Sequence, residues 1–208
     1  MERKVVVFDF GQVLTLNQQK QVYEPLLLEL DRSPDSFFPI WGSYRHDYDQ
    51  GLLNTKEYWT KVLMELDIPD YLNYVEQHWQ KLLATDLSAF DNPRTEMLNY
   101  VKDLGARGIP LGILSNMPED VGEFWESRWD GMECFTWKIW SGDIGMIKPE
   151  KEIFQYLLNT IGRNPDEVLF VDDIEANILS AKALGIGGVV FSSVHQVQNE
   201  IEAWLKES

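Results

Sequence analysis

Cysteine is almost absent from this chain: Cys134 stands alone among 208 residues. A single thiol forms neither an internal disulfide nor a multi-cysteine zinc site, so a disulfide-framed fold is excluded and a reducing compartment, the cytoplasm, is expected. Long apolar runs are missing too. The opening Met1-Glu2-Arg3-Lys4 leads only into Val5–Phe8 before Asp9, far short of a secretory leader's apolar core or a membrane span. Basic residues are scarce: 18 Lys and Arg face 34 Asp and Glu, a net charge of −16. Such a field repels nucleic-acid backbones and anionic lipid surfaces, so neither nucleic acid nor membrane is expected as a partner. One phosphate on a small molecule is still compatible, because a metal ion and one placed lysine reverse the field locally. The sequence contains no internal repeat, low-complexity segment, Walker loop, serine elbow or zinc-binding His-Glu motif.

What is present is an ordinary globular composition, 44% hydrophobic and 25% charged. The length fits one domain of roughly 150 residues carrying an inserted lobe. Residues 5–8, 111–114, 168–171 and 189–191 are apolar and mostly β-branched, as strands buried on both faces are, and residues 135–140 offer a fifth. Helical patterns separate them, with Pro93, Pro118 and Pro149 at expected first turns and Gly105, Gly162 and Gly185 at expected stops. The Gly185-Ile-Gly187-Gly188 run reads as such a stop and turn. Alternating strands and helices predict an α/β fold with a doubly wound parallel sheet. The stretch from about residue 18 to 83 breaks the alternation: it shows helical spacing at Val22, Leu26, Leu27 and Leu30, then at Tyr58, Val62, Leu63 and Leu66 behind a capping box of Asn54 and Glu57. An all-helical insertion after the first strand is the economical reading. Trp125, Trp129, Trp137 and Trp140 read as core filling, with a self-association patch as the alternative.

Ligands of open parallel sheets bind beyond the carboxyl ends of the strands. Asp9-Phe10-Gly11-Gln12, Ser115-Asn116 and Asp172-Asp173 follow three of the strands, and Lys148-Pro149 opens the helix before the fourth. Singly, each is a turn residue or a cap, Asp173 before Ile174 included. Lys148 fits that account worst. At an N-cap it has no acceptor and opposes the helix dipole, so its replacement is expected to leave stability intact. Asp172 and Asp173 near Asp9 repel one another unless a cation sits among them, and oxygen ligands beside a phosphate point to magnesium.

These segments resemble the four motifs of the haloacid dehalogenase-like hydrolases, in order and over nearly the whole chain. They read Val-Val-Val-Phe-Asp9-Phe-Gly-Gln-Val-Leu, Leu-Gly-Ile-Leu-Ser115-Asn116, Ile-Lys148-Pro149-Glu-Lys-Glu-Ile-Phe and Val-Leu-Phe-Val-Asp172-Asp173 followed by Asn177. The insertion resembles the helical cap of the subgroup containing sugar phosphatases and the N-terminal domain of soluble epoxide hydrolase. The resemblance implies a Rossmann-like core over residues 1–16 and 87–208 and a mobile cap over 17–86. It makes Asp9 the nucleophile, forming an aspartyl-phosphate, and gives phosphoryl binding to Ser115, Asn116 and Lys148. Magnesium would be held by Asp9, the Gly11 carbonyl and Asp173, with Asp172 as second ligand or outer shell. The implied activity is hydrolysis of a small phosphate ester, a sugar phosphate, by a monomer or homodimer.

One departure stands out. Phosphatases of the family carry a second aspartate two residues after the nucleophile, to protonate the leaving group, and here that position is Gly11; Gln12 and Val13 replace the usual Gly and Thr. The proton then comes from elsewhere or not at all, with His46, Asp47 and Asp49 of the insertion as sources and a solvated polar segment as the alternative. Two other activities stand beside phosphatase: a 2-haloacid dehalogenase, which needs no metal and leaves the aspartate pair unexplained, and a phosphate-binding scaffold without turnover. A phosphosugar mutase is disfavoured by Gly11.

Overall fold

The computed structural model describes residues 4–119 and 121–207, so residues 1–3, 120 and 208 of the expected core lie outside the described residues. Five apolar segments form the strands β1 (Val5–Phe8), β2 (Leu111–Ser115), β3 (Trp137–Trp140), β4 (Val168–Asp172) and β5 (Gly187–Val190). They make one parallel sheet in the order β3-β2-β1-β4-β5. The last strand begins two residues earlier than expected, because Gly187 and Gly188 pair with Leu169 and Phe170 instead of turning. Chain order reverses at β1, which places a crevice beyond the carboxyl ends of β1, β2 and β4. Val6 lies opposite both Leu111 and Leu169, so Asp9, Ser115 and Asp172 emerge at nearly one level.

Between β1 and β2 the described chain is helical: α1 (Glu24–Leu30), α2 (Pro34–Ser43), α3 (Arg45–Asp49), α4 (Thr55–Glu65) and α5 (Tyr71–Phe90). The capping box of Asn54 and Glu57 opens α4. Tyr23, Leu26, Phe37, Trp59, Val62 and Leu82 belong to a buried cluster separate from those on the sheet. Helix α5 runs unbroken through residue 86 and ends at Phe90. The two chain crossings lie side by side, with Leu16 N–H donating to Asn92 O and Arg94 N–H to Leu14 O, each at 2.8 Å.

The remaining helices are α6 (Thr95–Ala106), α7 (Val121–Glu126), α8 (Ser141–Ile144), α9 (Lys151–Ile161), α10 (Glu175–Ala183) and α11 (Val194–Lys206). Alternate residues of β1 enter opposite layers: Val6 and Phe8 pack with Val101 of α6 and Ile201 of α11, Val5 and Val7 with Leu157 of α9 and Ile178 of α10. Pro93 and Pro149 precede α6 and α9 by two residues instead of opening them, since Arg94 and Glu150 occupy the cap positions. Lys148 is therefore not an N-cap, and the dipole argument for it does not hold. Trp125, Trp129 and Trp140 are buried around Phe10 in the core, Trp129 stacking on that ring at 5.1 Å, while Trp137 is half-buried on the other face. No helix among the described residues is long and apolar enough to cross a membrane.

Candidate active site

Asp9 follows the last residue of β1, and its N–H donates to Val171 O at 2.8 Å, so the ladder fixes the backbone that carries its carboxyl group. Lys148 bridges the strand ends. Its ammonium donates to Asp9 Oδ1 at 2.8 Å and to Asp172 Oδ2 at 2.7 Å, and all three side chains are buried. Asp172 is further fixed by Asn177, whose Nδ2 lies 3.0 Å from both of its oxygens, and by the N–H of Ile174 at 2.8 Å. Oxygens of Asp9, Asp172 and Asp173 lie within 4.8 Å of one another.

One ammonium does not neutralise three carboxylates. Burial, with the negative charge of Asp172, pushes the Asp9 carboxyl up to about 6 against the opposing pull of Lys148. Burial and Asp172 also raise Asp173. For Lys148 burial acts against the charged form, yet Asp9 and Asp172 outweigh it and hold the ammonium above the ordinary lysine range. The site is an electronegative pocket built for additional positive charge.

Asn116 does not present a free amide. It accepts from the Lys148 N–H and donates to the Lys148 carbonyl, both at 2.9 Å, which makes it a positioning residue for Lys148. Ser115 is buried at the end of β2, on the wall it shares with Asp9. Gly11 leaves open space: a Cβ there would have Asp9 Oδ2, 3.8 Å away, as its nearest neighbour. Gln12 has a left-handed backbone, φ 54°, a conformation that costs a non-glycine residue about 1 kcal/mol. It is pinned from both sides, its side chain donating to Asp173 Oδ2 at 2.8 Å and its carbonyl accepting from Arg94 at 2.8 Å.

The helical insertion adds Arg45 and Asp86, which the sequence reading missed, beside the expected Asp49. Arg45 and Asp49, one turn apart on α3, pair at 2.7 Å, and Arg45 also meets the buried Asp86 of α5 at 3.2 Å. Arg45, Asp49 and Trp41 share with Asp9, Lys148 and Asp173 the wall of a cavity of about 360 Å3. Of the three proposed proton sources, only Asp49 lies on that wall; His46 and Asp47 are 64% and 53% exposed. Burial, aided by Asp86 and opposed by Arg45, pushes the Asp49 carboxyl up to about 6. The Arg45–Asp49 pair was legible as an i, i+4 spacing. Asp86 stood out as the one charge among Leu83, Leu87 and Phe90 on a single face of α5.

Comparison with known proteins agrees with this arrangement. Mouse bifunctional epoxide hydrolase 2 is 31% identical over 110 residues, which span 51% of this chain and 20% of that protein. A sesquiterpene phosphatase of Aspergillus oryzae is 28% identical over 98 residues, 47% of this chain and 50% of its own. This chain thus matches about a fifth and a half of the lengths of these relatives. A HAD family enzyme of Bacteroides thetaiotaomicron, solved with magnesium and inorganic phosphate, shares the fold at a TM-score of 0.67 and 22% identity, over 93% of this chain and 98% of that one. The profile of the haloacid dehalogenase-like hydrolases runs through the helical insertion and all four strand-end motifs, residues 3–185, and the chain belongs to that family.

Proposed function

We propose that this protein is a magnesium-dependent phosphatase acting on a small phosphate ester through an aspartyl-phosphate at Asp9. The observation that carries the proposal is the buried Asp9 carboxylate held by Lys148 beside two further carboxylates. The donor set suits a hard divalent cation, being all oxygen, converging and under-neutralised. Asp9, the Gly11 carbonyl and Asp173 would hold it, with Asp172 as second ligand or outer shell. When bound, magnesium supplies positive charge to phosphoryl oxygens and offsets the repulsion between carboxylates and a dianionic ester.

In the proposed reaction an Asp9 oxygen attacks phosphorus in line, the bond from phosphorus to the ester oxygen breaks, and the departing oxygen leaves with the electron pair. Lys148 and Ser115 hold the phosphoryl oxygens while charge shifts, and Asn116 keeps Lys148 in register. Water then attacks phosphorus, which releases inorganic phosphate and regenerates Asp9. Positioning and charge neutralisation carry most of such a reaction. The helical insertion acts as a cap, bringing Arg45 and Asp49 over the cavity. A metal-free dehalogenation leaves Asp173 without a role, and the sesquiterpene phosphatase among the relatives supports phosphate chemistry.

The experiment is release of inorganic phosphate from an aryl phosphate, with magnesium and after exhaustive chelation. Chelation is expected to abolish release, and Asp9→Asn to abolish it with magnesium present while circular dichroism stays unchanged. Full activity in the metal-free protein overturns the assignment, and phosphate binding without turnover supports the scaffold reading.

A further inference from the structure

The cavity over Asp9 does not end at the catalytic groups. Gly11, Ser115, Asn116, Arg45 and Phe90 also border a narrow chamber of about 70 Å3, which runs between α5 and the segment after β2. Tyr48, Leu83, Leu87 and Val121 of that chamber in turn border an outer cavity of about 380 Å3, reaching Trp79 and the exposed Phe124. Three adjoining spaces with shared walls thus lead from the nucleophile outward. We propose that this series is the leaving-group channel, and that the substrate is the phosphate monoester of a long-chain apolar alcohol. The inference rests on the phosphatase reading and replaces the sugar phosphate expected from the sequence.

The walls of the chamber favour hydrocarbon, and Asn54, Thr55 and Glu119 enter the lining only in the outer cavity, beside Leu53, Trp79 and Phe124. Leu83, Leu87, Phe90, Val121 and Trp125 supply the apolar surface of the chamber. Beyond Ser115 at the Asp9 end, its polar side chains already hold partners: Arg45 is bound to Asp49 and Asp86, Asp86 also to Tyr23 and Trp41, Asn116 to the Lys148 backbone, and the Tyr48 hydroxyl to Thr55 at 2.9 Å. A sugar would bring several hydroxyl groups into this space and strand most of them without partners. A methylene chain has no such requirement and gains with each carbon buried.

The test is kcat/KM for ethyl, butyl, hexyl and octyl phosphate below their micelle concentrations, with geranyl phosphate and glucose 6-phosphate as separate arms and p-nitrophenyl phosphate reporting the chemistry. All the alkyl esters leave as primary alkoxides, so the series isolates the channel from leaving-group basicity. We expect a gain of about threefold per added methylene up to octyl, with glucose 6-phosphate far below octyl phosphate. Octyl above geranyl marks a straight acyl-like chain as the occupant, and the reverse a branched isoprenoid. Leu83→Trp and Leu87→Gln are expected to cut the octyl-to-ethyl ratio at least tenfold. A flat or falling series, or glucose 6-phosphate ahead of octyl phosphate, overturns the proposal in the unmodified protein even if neither variant folds. If no ester is hydrolysed, p-nitrophenyl phosphate included, the phosphatase reading fails. The channel then stands or falls on calorimetric affinity for alkyl phosphates, rising with chain length or not.

Discussion

The residue with the most at stake is Lys148. As a presumed helix cap it was expected to be dispensable for stability, but it lies buried between Asp9 and Asp172. Lys148→Ala leaves two carboxylates side by side with no counter-charge. Breaking a buried pair from one side costs about 3 kcal/mol, so the metal-free variant at pH 8 is expected to lose that much in urea denaturation and to regain much of it when magnesium is added. Unchanged stability without metal would mean that water, not Lys148, screens the two aspartates.

Gly11 leads to a second prediction at the same scale. With no side chain there to donate a proton, and with Asp49 bound to Arg45, the departing oxygen would carry its own charge in the proposed reaction. Single-turnover rates should therefore fall steeply as that oxygen becomes more basic, with aryl and anomeric sugar 1-phosphates ahead of primary-alcohol esters of equal fit. Gly11→Asp should flatten the dependence, since the loop has room for the new side chain. A shallow dependence in the wild type that steepens in Asp49→Asn would instead identify Asp49 as the donor.

At the scale of elements, helix α3 sets a pH dependence. The Asp49 carboxyl is raised by burial from 3.8 to about 6, so the folded protein holds this proton more tightly than the unfolded chain. The contribution is fully present below pH 3.8 and is lost as pH rises through about 6. Asn does not titrate. The melting temperature of Asp49→Asn should accordingly rise relative to wild type between pH 4.5 and 7, and a constant difference across that range rules out the titration of Asp49 as its source.

The same scale separates what the sequence made legible from what it did not. The strands β1, β2 and β4 were readable because each is a short apolar run, broken by a polar residue only at the last position of β2 and β4, as suits a strand buried on both faces. Their terminal polar residues followed from topology, since a parallel sheet gathers carboxyl ends at one edge. The start of β5 and the cap of α9 were missed because glycine and proline mark breaks locally, while pairing across the sheet and the extended Glu150 are decided by tertiary contacts. Arg45 and Asp86 were missed for a related reason. They are 41 residues apart, and the packing of α3 on α5, not any spacing in the chain, makes them a pair.

For the whole molecule, the proposed activity depends on how the helical insertion sits on the sheet. The two meet at a second place besides the chain crossings. The Ser141 hydroxyl donates to the Asp49 carbonyl, Gln50 donates to Gly145 O at 3.2 Å, and a Cβ on Gly51 would lie 2.4 Å from the Gly142 carbonyl oxygen. Gly51 and Gly145 both have positive φ, 77° and 68°, so alanine at either costs about 1 kcal/mol of backbone strain. Only at Gly51 does the added carbon meet the other part of the molecule, because Gly145 faces open space. Gly145→Ala is thus an internal control for strain. Gly51→Ala is expected to wedge α3 away from α8, withdrawing Arg45 and Asp49 from the cavity. It should lower kcat/KM for an aryl phosphate at least tenfold, while Gly145→Ala stays within about twofold and the two variants melt within about 4 °C of each other. Equal activities would mean that the contact between α3 and α8 does not set the geometry over Asp9, and that the chain crossings at residues 14–19 and 89–94 position the insertion by themselves.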